Sequence, residues 1–190
     1  ACHFANAGFQ VLLLDISPKE LNASEIKAGL THNDFEVKNR IVNQALQLAV
    51  KSNPAPLYHK KFLSRITTGN FNDNLKEVSQ CNWIIEVVIE NLDIKKNLYS
   101  EVEKYRQPGT LVTSNTSGIP IHLLAEGRTD DFKKYFCGTH FFNPPRYLPL
   151  LEIIPTAFTA PEVVEFLLEF GSKYLGKSTV LCKDTPVFIA

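Results

Sequence analysis

Short apolar runs that alternate with helix-like stretches constrain the fold of this chain more than any other feature. Residues 9–14 are almost entirely apolar, residues 83–88 repeat that character, and residues 110–114 form a further run that is typical of a strand. A strand that is apolar on both faces is typical of a parallel sheet covered by helices on both sides. Parallel neighbours also need a crossover helix between them. We therefore predict a doubly wound α/β fold with a mostly parallel sheet.

The predicted elements cover most of the chain. Besides the three runs above, strands are predicted at residues 66–68, 136–141, 150–154 and 179–182. Helices are predicted at residues 1–7, 18–28, 34–51, 73–79, 92–105, 119–125 and 161–174. The sequence contains no internal repeat, low-complexity tract or linker, so we expect residues 1–190 to belong to one domain.

Composition excludes several classes of function. The 20 Lys and Arg residues balance the 20 Asp and Glu residues, so we predict no nucleic-acid partner. The apolar runs are far shorter than the about 20 residues that a membrane span requires. Four widely scattered cysteines without CxxC spacing predict reduced thiols, a cytoplasmic setting and no structural metal site.

Asp15 is the first candidate binding residue, because it directly follows the first apolar run. Ligands of an open parallel sheet lie outside the carboxyl ends of its strands, where a carboxylate can bind the ribose diol of a dinucleotide. Such a carboxylate repels a 2′-phosphate, which favours NAD over NADP. The alternative is that Asp15 only opens a turn before the next helix.

The glycine fingerprint that should accompany such a residue is absent, since no two of the nine glycines have G-x-G spacing. The chain also starts without Met, inside a predicted helix. We therefore expect the first strand of the sheet and its glycine-rich phosphate turn to precede Ala1.

A cluster of hydroxyl and amide side chains at residues 114–118 lies between a predicted strand and a predicted helix. Its members, among them Ser117, can orient a substrate oxygen beside the positive potential of the helix amides. The alternative is an ordinary N-cap, because Ser and Thr are favoured there for capping alone.

His140 and Glu152 form the third candidate set, twelve residues apart on two predicted strands. A carboxylate that binds one imidazole nitrogen fixes the tautomer and makes the other nitrogen a stronger base. Such a pair suits removal of a hydroxyl proton while a hydride leaves the same carbon. The alternative is a histidine with a purely structural role.

Taken together, these segments resemble the NAD-binding domain of L-3-hydroxyacyl-CoA dehydrogenases. The resemblance covers the whole chain and is carried by ordered motifs: IENLDIKK at 89–96, SNTS at 114–117, HFFNP at 140–144, LEII at 151–154, and LGK at 175–177 with KDTP at 183–186. It implies a Rossmann-type fold that here lacks its first strand and glycine-rich turn.

The resemblance also implies a reaction, the oxidation of the 3-hydroxyl of an acyl-CoA by NAD in fatty acid β-oxidation. His140 matches the catalytic base, Glu152 its carboxylate partner, and Ser117 the hydroxyl that contacts the substrate oxygen. The cofactor-binding positions of the family match Asp15, Glu90, Lys95 and Asn143.

Departures from the family pattern limit what the chain is expected to do alone. The glycine-rich turn is missing, Val187 replaces the usual Gly, and the C-terminal helical domain that completes the acyl cleft is absent. We therefore expect a fragment that is inactive by itself, from a longer enzyme that dimerises through the missing domain.

Two other functions stay open on the sequence. One is a catalytically silent structural or nucleotide-binding protein on the same scaffold, as in a lens crystallin that resembles this family. The other is a dehydrogenase of a free short hydroxy acid, which a change of substrate distinguishes from an acyl-CoA dehydrogenase.

Overall fold

The structure, a computed structural model, describes residues 1–185 of the 190-residue chain. It divides into two compact units, Ala1–Leu75 and Lys76–Ala190, and each contains one sheet. The expectation of one domain across residues 1–190 stays a prediction. Two residues discussed above lie outside the described residues. They are Pro186, the last residue of the KDTP motif, and Val187, which replaces the usual Gly of the family.

The first unit is built around two parallel strands. Its elements are α1 (Cys2–Asn6), β1 (Val11–Asp15), α2 (Ala23–Lys27), α3 (Phe35–Lys38), α4 (Arg40–Lys51), a 3₁₀ helix (Lys60–Arg65), β2 (Ile66–Asn70) and α5 (Phe71–Asn74). In the ladder, Val11 lies opposite Ile66 and Asp15 opposite Asn70. Ala5, Leu57 and Ile66 form the buried apolar centre of this unit.

The helix predicted from residue 18 starts only at Ala23. Asn22 is the N-cap residue, because its side chain accepts the Glu25 amide at 2.9 Å and the Glu25 carboxylate accepts the Asn22 amide at 2.7 Å. This reciprocal pair satisfies two amide donors that a helix start leaves unpaired, and it fixes the boundary there.

The long helix predicted at residues 34–51 is interrupted at Asn39, between α3 and α4. The buried Asn39 side chain donates to the Phe35 carbonyl at 3.1 Å and accepts from the Asn70 side chain at 3.0 Å. An amide side chain that bonds nearby backbone competes with helix continuation, which accounts for the break.

The second unit contains a five-stranded sheet in the order β3-β4-β5-β6-β7. A 3₁₀ helix (Leu75–Gln80) begins at the last residue of the first unit. It is followed by β3 (Trp83–Glu86), α6 (Leu92–Tyr105), β4 (Leu111–Ser114), α7 (Ile121–Ala125), α8 (Asp130–Lys134), β5 (Phe136–Phe141), β6 (Leu150–Pro155), α9 (Pro161–Lys173) and β7 (Ser178–Leu181). Neighbouring strands are parallel except β5 and β6, which are antiparallel. The prediction of an α/β fold with mostly parallel strands is confirmed.

Two apolar clusters stabilise the second unit. One centres on Tyr99, Phe132 and Phe136, and the centroids of their rings are 5.1 to 5.6 Å apart. The other centres on Leu151, Ile153 and Leu167, which join β6 to α9. β6, which carries Glu152, is therefore fixed by packing on both sides of that residue.

Short helices account for most of the remaining differences from the predicted elements. The helix predicted at residues 73–79 is a short α-helix, α5, followed by the 3₁₀ helix Leu75–Gln80. The sequence pattern did not indicate α8 or the 3₁₀ helix Lys60–Arg65. Each has five or six residues, which is too short to show a helical apolar period.

In the part of the chain that the structure describes, no helix is long and apolar enough to cross a membrane. Within residues 1–185, no group of three or more His, Cys, Asp or Glu side chains is arranged to hold a metal ion.

Candidate active site

Polar side chains gather in the second unit where parallel strands end. Glu86 ends β3 and Ser114 ends β4, and the two residues are directly paired in the ladder. The loop that follows Ser114 carries Ser117, while His140 is near the end of the neighbouring strand β5. The ends of parallel strands are where ligands of open α/β sheets bind.

His140 and Glu152 form a hydrogen-bonded pair. His140 on β5 is directly opposite Glu152 on β6, and the imidazole Nδ1 lies 2.5 Å from the Glu152 Oε2. The Glu152 side chain is 3% exposed and the His140 side chain 17%. A carboxylate can only accept, so Nδ1 of the neutral imidazole carries the proton and Nε2 keeps its lone pair.

Ser117 completes this arrangement at the other imidazole nitrogen. Its hydroxyl oxygen lies 3.2 Å from the His140 Nε2. The tautomer that Glu152 selects leaves Nε2 as the acceptor, so the Ser117 hydroxyl donates to it. The three side chains that the sequence grouped as catalytic candidates are therefore connected in the order Ser117, His140, Glu152.

The capping alternative for residues 114–118 explains only part of the cluster. The Thr116 hydroxyl accepts the Ile119 amide at 3.1 Å and caps a turn of the loop. The following helix α7 is capped by Asp184, whose carboxylate accepts the amides of Ile121 and His122 at 2.6 and 2.8 Å. Ser117 is directed to His140 instead.

Cys182 contacts the second oxygen of the Glu152 carboxylate, since its Sγ lies 3.7 Å from Oε1. Burial raises the pKa of the Cys182 thiol, and the negative charge of Glu152 raises it further. The thiol therefore stays protonated and can act as a weak donor to this carboxylate.

Glu90 holds the loop that carries Ser117. Its Oε1 accepts the amides of Ser117 and Gly118, each at 3.1 Å, and the Thr116 hydroxyl. Partial burial by itself raises the pKa of Glu90, but these hydrogen bonds and the charge of Lys95 outweigh it and lower the pKa below its ordinary value. Glu90 is therefore an anion at neutral pH.

Lys95 is almost completely buried, with 1% of its surface exposed. Its ammonium donates to the Glu86 Oε1 at 2.7 Å and to the Val88 carbonyl at 3.1 Å, and it lies 3.3 Å from the Glu90 Oε2. A buried ammonium is stable only with such partners. Lys95 thus links the two carboxylates on either side of it.

Glu86 was not among the residues predicted from the sequence, although this buried residue is central to the site. Its Oε2 accepts the hydroxyls of Tyr99 at 2.8 Å and Ser114 at 2.6 Å. Burial raises the pKa of Tyr99 well above its ordinary value, and the negative charge of Glu86 raises it further. The signal available in the sequence was a carboxylate within an apolar strand, which requires buried partners.

Asn143 is exposed in the loop between β5 and β6, two residues after the last residue of β5. The buried Lys177 fixes that loop by donating to the carbonyls of Pro145 and, at 2.8 Å, Leu148. Burial lowers the pKa of Lys177.

Asp15 belongs to the first unit, at the end of β1. Its Oδ1 accepts the Ile16 amide at 2.7 Å, which orients the carboxylate. A carboxylate with acceptor capacity at this end of a parallel strand fits the ribose diol of a dinucleotide. The donor and acceptor chemistry of Asp15 is therefore compatible with NAD.

Comparison with known proteins identifies the family of the chain. The family model described as "3-hydroxyacyl-CoA dehydrogenase, NAD binding domain" matches residues 1–185. A probable 3-hydroxyacyl-CoA dehydrogenase of Bacillus subtilis is 51% identical over all 190 residues, which are 24% of that protein. A second one, from Deinococcus radiodurans, is 41% identical over the whole chain and 51% of its own length.

The fold comparison gives the same family. A crystal structure of 3-hydroxybutyryl-CoA dehydrogenase from Escherichia coli superimposes with a TM-score of 0.70 and 28% identity, over 98% of this chain and 36% of that one. The chain spans between about a quarter and a half of the two curated relatives named above. It belongs to the family of NAD-binding domains of 3-hydroxyacyl-CoA dehydrogenases, whose cofactor is NAD.

Proposed function

We propose that this chain is the cofactor-binding part of an enzyme that oxidises the 3-hydroxyl of an L-3-hydroxyacyl-CoA to the 3-ketoacyl-CoA. The observation that carries the proposal is the position of one imidazole between two partners. The Glu152 carboxylate is hydrogen-bonded to Nδ1 of His140, and the Ser117 hydroxyl is hydrogen-bonded to Nε2. This arrangement leaves a single basic nitrogen facing a hydroxyl, as general base catalysis on an alcohol requires.

In this mechanism His140 is the catalytic base. Its Nε2 takes the proton of the substrate 3-hydroxyl, and Glu152 stabilises the imidazolium that forms. Ser117 positions the substrate oxygen: its hydroxyl lies 3.2 Å from Nε2, and once the substrate hydroxyl donates to that nitrogen, the Ser117 hydroxyl donates to the substrate oxygen instead. Bound NAD supplies the two-electron acceptor for the carbon that loses its hydride.

We assign roles in cofactor binding to Asp15, Glu90, Lys95 and Asn143. Asp15 binds the ribose diol, which its position at the end of β1 supports. Glu90 and Lys95 act next to the cofactor through the loop that they hold, which their contacts with residues 116–118 and with each other support. Asn143 is exposed in the loop after His140, which supports its contact with a bound ligand.

The parent enzyme in this proposal is longer than the chain. Residues 1–190 form its NAD-binding domain, and a helical C-terminal domain completes the acyl cleft and the dimer interface. The proposal is supported by the relatives, of which the chain spans 24% and 51%. A cytoplasmic site of action is supported by the free cysteines at positions 2, 81, 137 and 182. We place the reaction in fatty acid β-oxidation.

The test is an assay of the full-length protein encoded around this chain, with acetoacetyl-CoA and NADH as substrates. We expect turnover of acetoacetyl-CoA and no comparable turnover of free acetoacetate. Equal kcat/KM for the free acid would contradict the acyl-CoA assignment in favour of a short hydroxy acid dehydrogenase.

NADH titration separates the enzyme from a structural protein on the same scaffold. The enzyme binds NADH and turns over acetoacetyl-CoA, whereas a structural relative binds NADH without turnover. Binding of NADH with no detectable oxidation of the cofactor would overturn the proposed activity.

A further inference from the structure

Glu86 contacts residues outside its own strand, on α6 and at the end of β4. Its side chain is 2% exposed, and both carboxylate oxygens accept hydrogen bonds. Oε1 accepts the Val88 amide at 2.6 Å and the Lys95 ammonium at 2.7 Å. Oε2 accepts the hydroxyls of Tyr99 and Ser114. A buried carboxylate of this kind requires several donors, and two of these donors continue to other groups.

The first connection runs through Ser114 to the start of the loop. The Ser114 hydroxyl donates to Glu86 and accepts the Thr116 amide at 3.3 Å. The backbone carbonyl of Glu86 also accepts the Asn115 amide at 2.8 Å. Residues 114–116 are thus held to the end of β3 by both the side chain and the backbone of one residue.

The second connection runs through Lys95 to the end of the loop. The Lys95 ammonium lies between the Glu86 Oε1 and the Glu90 Oε2. The other oxygen of Glu90 accepts the amides of Ser117 and Gly118. If Glu86 were uncharged, Lys95 would lose its nearer counter-ion, and its ammonium would be held beside Glu90 less firmly.

We propose that Glu86 is a positioning residue for the dehydrogenase reaction, which holds the loop 114–118 so that the Ser117 hydroxyl meets the His140 Nε2. The inference rests on the proposed function, because it treats Ser117 and His140 as the groups that meet the substrate. Glu86 itself does not touch the reacting atoms. It acts through Ser114 at one end of the loop and through Lys95 and Glu90 at the other.

Tyr99 provides a matched control for this role. Its hydroxyl donates to the same Glu86 oxygen as that of Ser114, and both side chains are buried. Tyr99 belongs to α6, whereas Ser114 continues into the loop. Ser114→Ala and Tyr99→Phe therefore each remove one hydroxyl from the same carboxylate oxygen, but only the first breaks a connection to residue 116.

The experiment compares these variants in the full-length protein by steady-state kinetics and by amide hydrogen exchange. For Ser114→Ala we expect kcat to fall about tenfold, with the KM for NADH within about twofold, since misplacement of a catalytic group affects kcat. We expect the Ser117 and Gly118 amides to exchange faster. For Tyr99→Phe we expect a lower melting temperature, kcat within about twofold, and unchanged exchange at both amides.

Glu86→Gln is the second variant, and it decides the question if Ser114→Ala does not fold. It keeps the shape of the side chain but removes the charge opposite Lys95, so we expect the same fall in kcat and the same faster exchange. Wild-type kcat and exchange in Glu86→Gln would overturn the proposal, as would equal kcat losses in Ser114→Ala and Tyr99→Phe. Absence of any dehydrogenase activity in the wild type would instead contradict the proposed function, while amide exchange would still test the role of Glu86.

Discussion

His140 and Glu152 are directly opposed residues of the antiparallel ladder between β5 and β6, and their side chains meet at 2.5 Å. Directly opposed residues of such a ladder have side chains on the same face of the sheet. The distance between the imidazole and the carboxylate is therefore set by strand register. A one-residue slip of either strand would move one of the two groups to the other face.

The Glu152 carboxylate is expected to fix the tautomer of His140 and to stabilise the imidazolium that forms during the reaction. For Glu152→Gln we predict a fall in kcat of about 100-fold, because an amide does not stabilise the imidazolium. Steady-state kinetics give the fall in kcat, and ¹⁵N NMR of the imidazole shows whether Nδ1 carries the proton in the wild type.

The matched control is Glu165→Gln, which removes an exposed carboxylate from α9. We expect it to leave kcat within about twofold. Equal kcat values for Glu152→Gln and the wild type would rule out the proposed partnership.

Glu90 should titrate at a lower pH than an ordinary glutamate. Its pKa is lowered below the usual 4.5, so its contribution to the stability of the folded protein is complete above that value. The contribution is lost as the pH falls through the lowered pKa. We predict a midpoint below 4.5 for the Glu90 carboxyl in a ¹³C NMR titration.

Glu90→Gln serves as the reference for this pH dependence. The difference in unfolding free energy between the wild type and Glu90→Gln should stay constant above pH 4.5 and shrink below it. If this difference grew on acidification, the pKa of Glu90 would be raised by folding rather than lowered, which would contradict the prediction.

Gly171 allows α9 to pack closely on the sheet. A Cβ at this position would lie 2.5 Å from the Thr179 Cγ2 and 3.1 Å from the Leu151 Cδ2. We predict that Gly171→Ala lowers the free energy of unfolding by about 1–3 kcal/mol through overpacking, although alanine is the better helix former. Urea denaturation measures this change, and Ser172→Ala at the exposed neighbouring position should leave the free energy nearly unchanged.

Lys177 fixes the loop that follows His140 by donating to two of its carbonyls, those of Pro145 and Leu148. We predict that Lys177→Met lowers the free energy of unfolding by about 1–3 kcal/mol, because the carbonyls lose a charged donor. The loop should also become more sensitive to limited proteolysis. Lys76→Met, at an exposed position, is the control, and equal proteolysis of the two variants would contradict the role of Lys177.

The fold and the pairing of His140 with Glu152 could be predicted from the sequence because their signals are local. The predicted strand at residues 136–141 and the helix at 92–105 have the bounds that the structure shows. His140 and Glu152 are twelve residues apart and are separated by a loop with prolines, so they can lie opposite each other on two adjacent strands. In the ladder between β5 and β6 they are directly opposed. The acid at position 15 likewise ends β1 as expected.

The support for Ser117 could not be predicted in this way. Glu86 was interpreted as part of an apolar strand, and its partners come from a helix and from a neighbouring strand. Those contacts have sequence separations of 9, 13 and 28 residues, so no local period relates them. The break at Asn39 was missed for the same reason, because one of its partners is the distant Asn70.

The most direct test of the central claim is the effect of His140→Gln on kcat in the full-length protein, with acetoacetyl-CoA and NADH as substrates. His32→Gln, which changes an exposed histidine of the first unit, is the control. We predict that His140→Gln lowers kcat by about 100-fold or more, the usual contribution of a general base, while His32→Gln leaves kcat unchanged. Full activity of His140→Gln would contradict the assignment of His140 as the catalytic base.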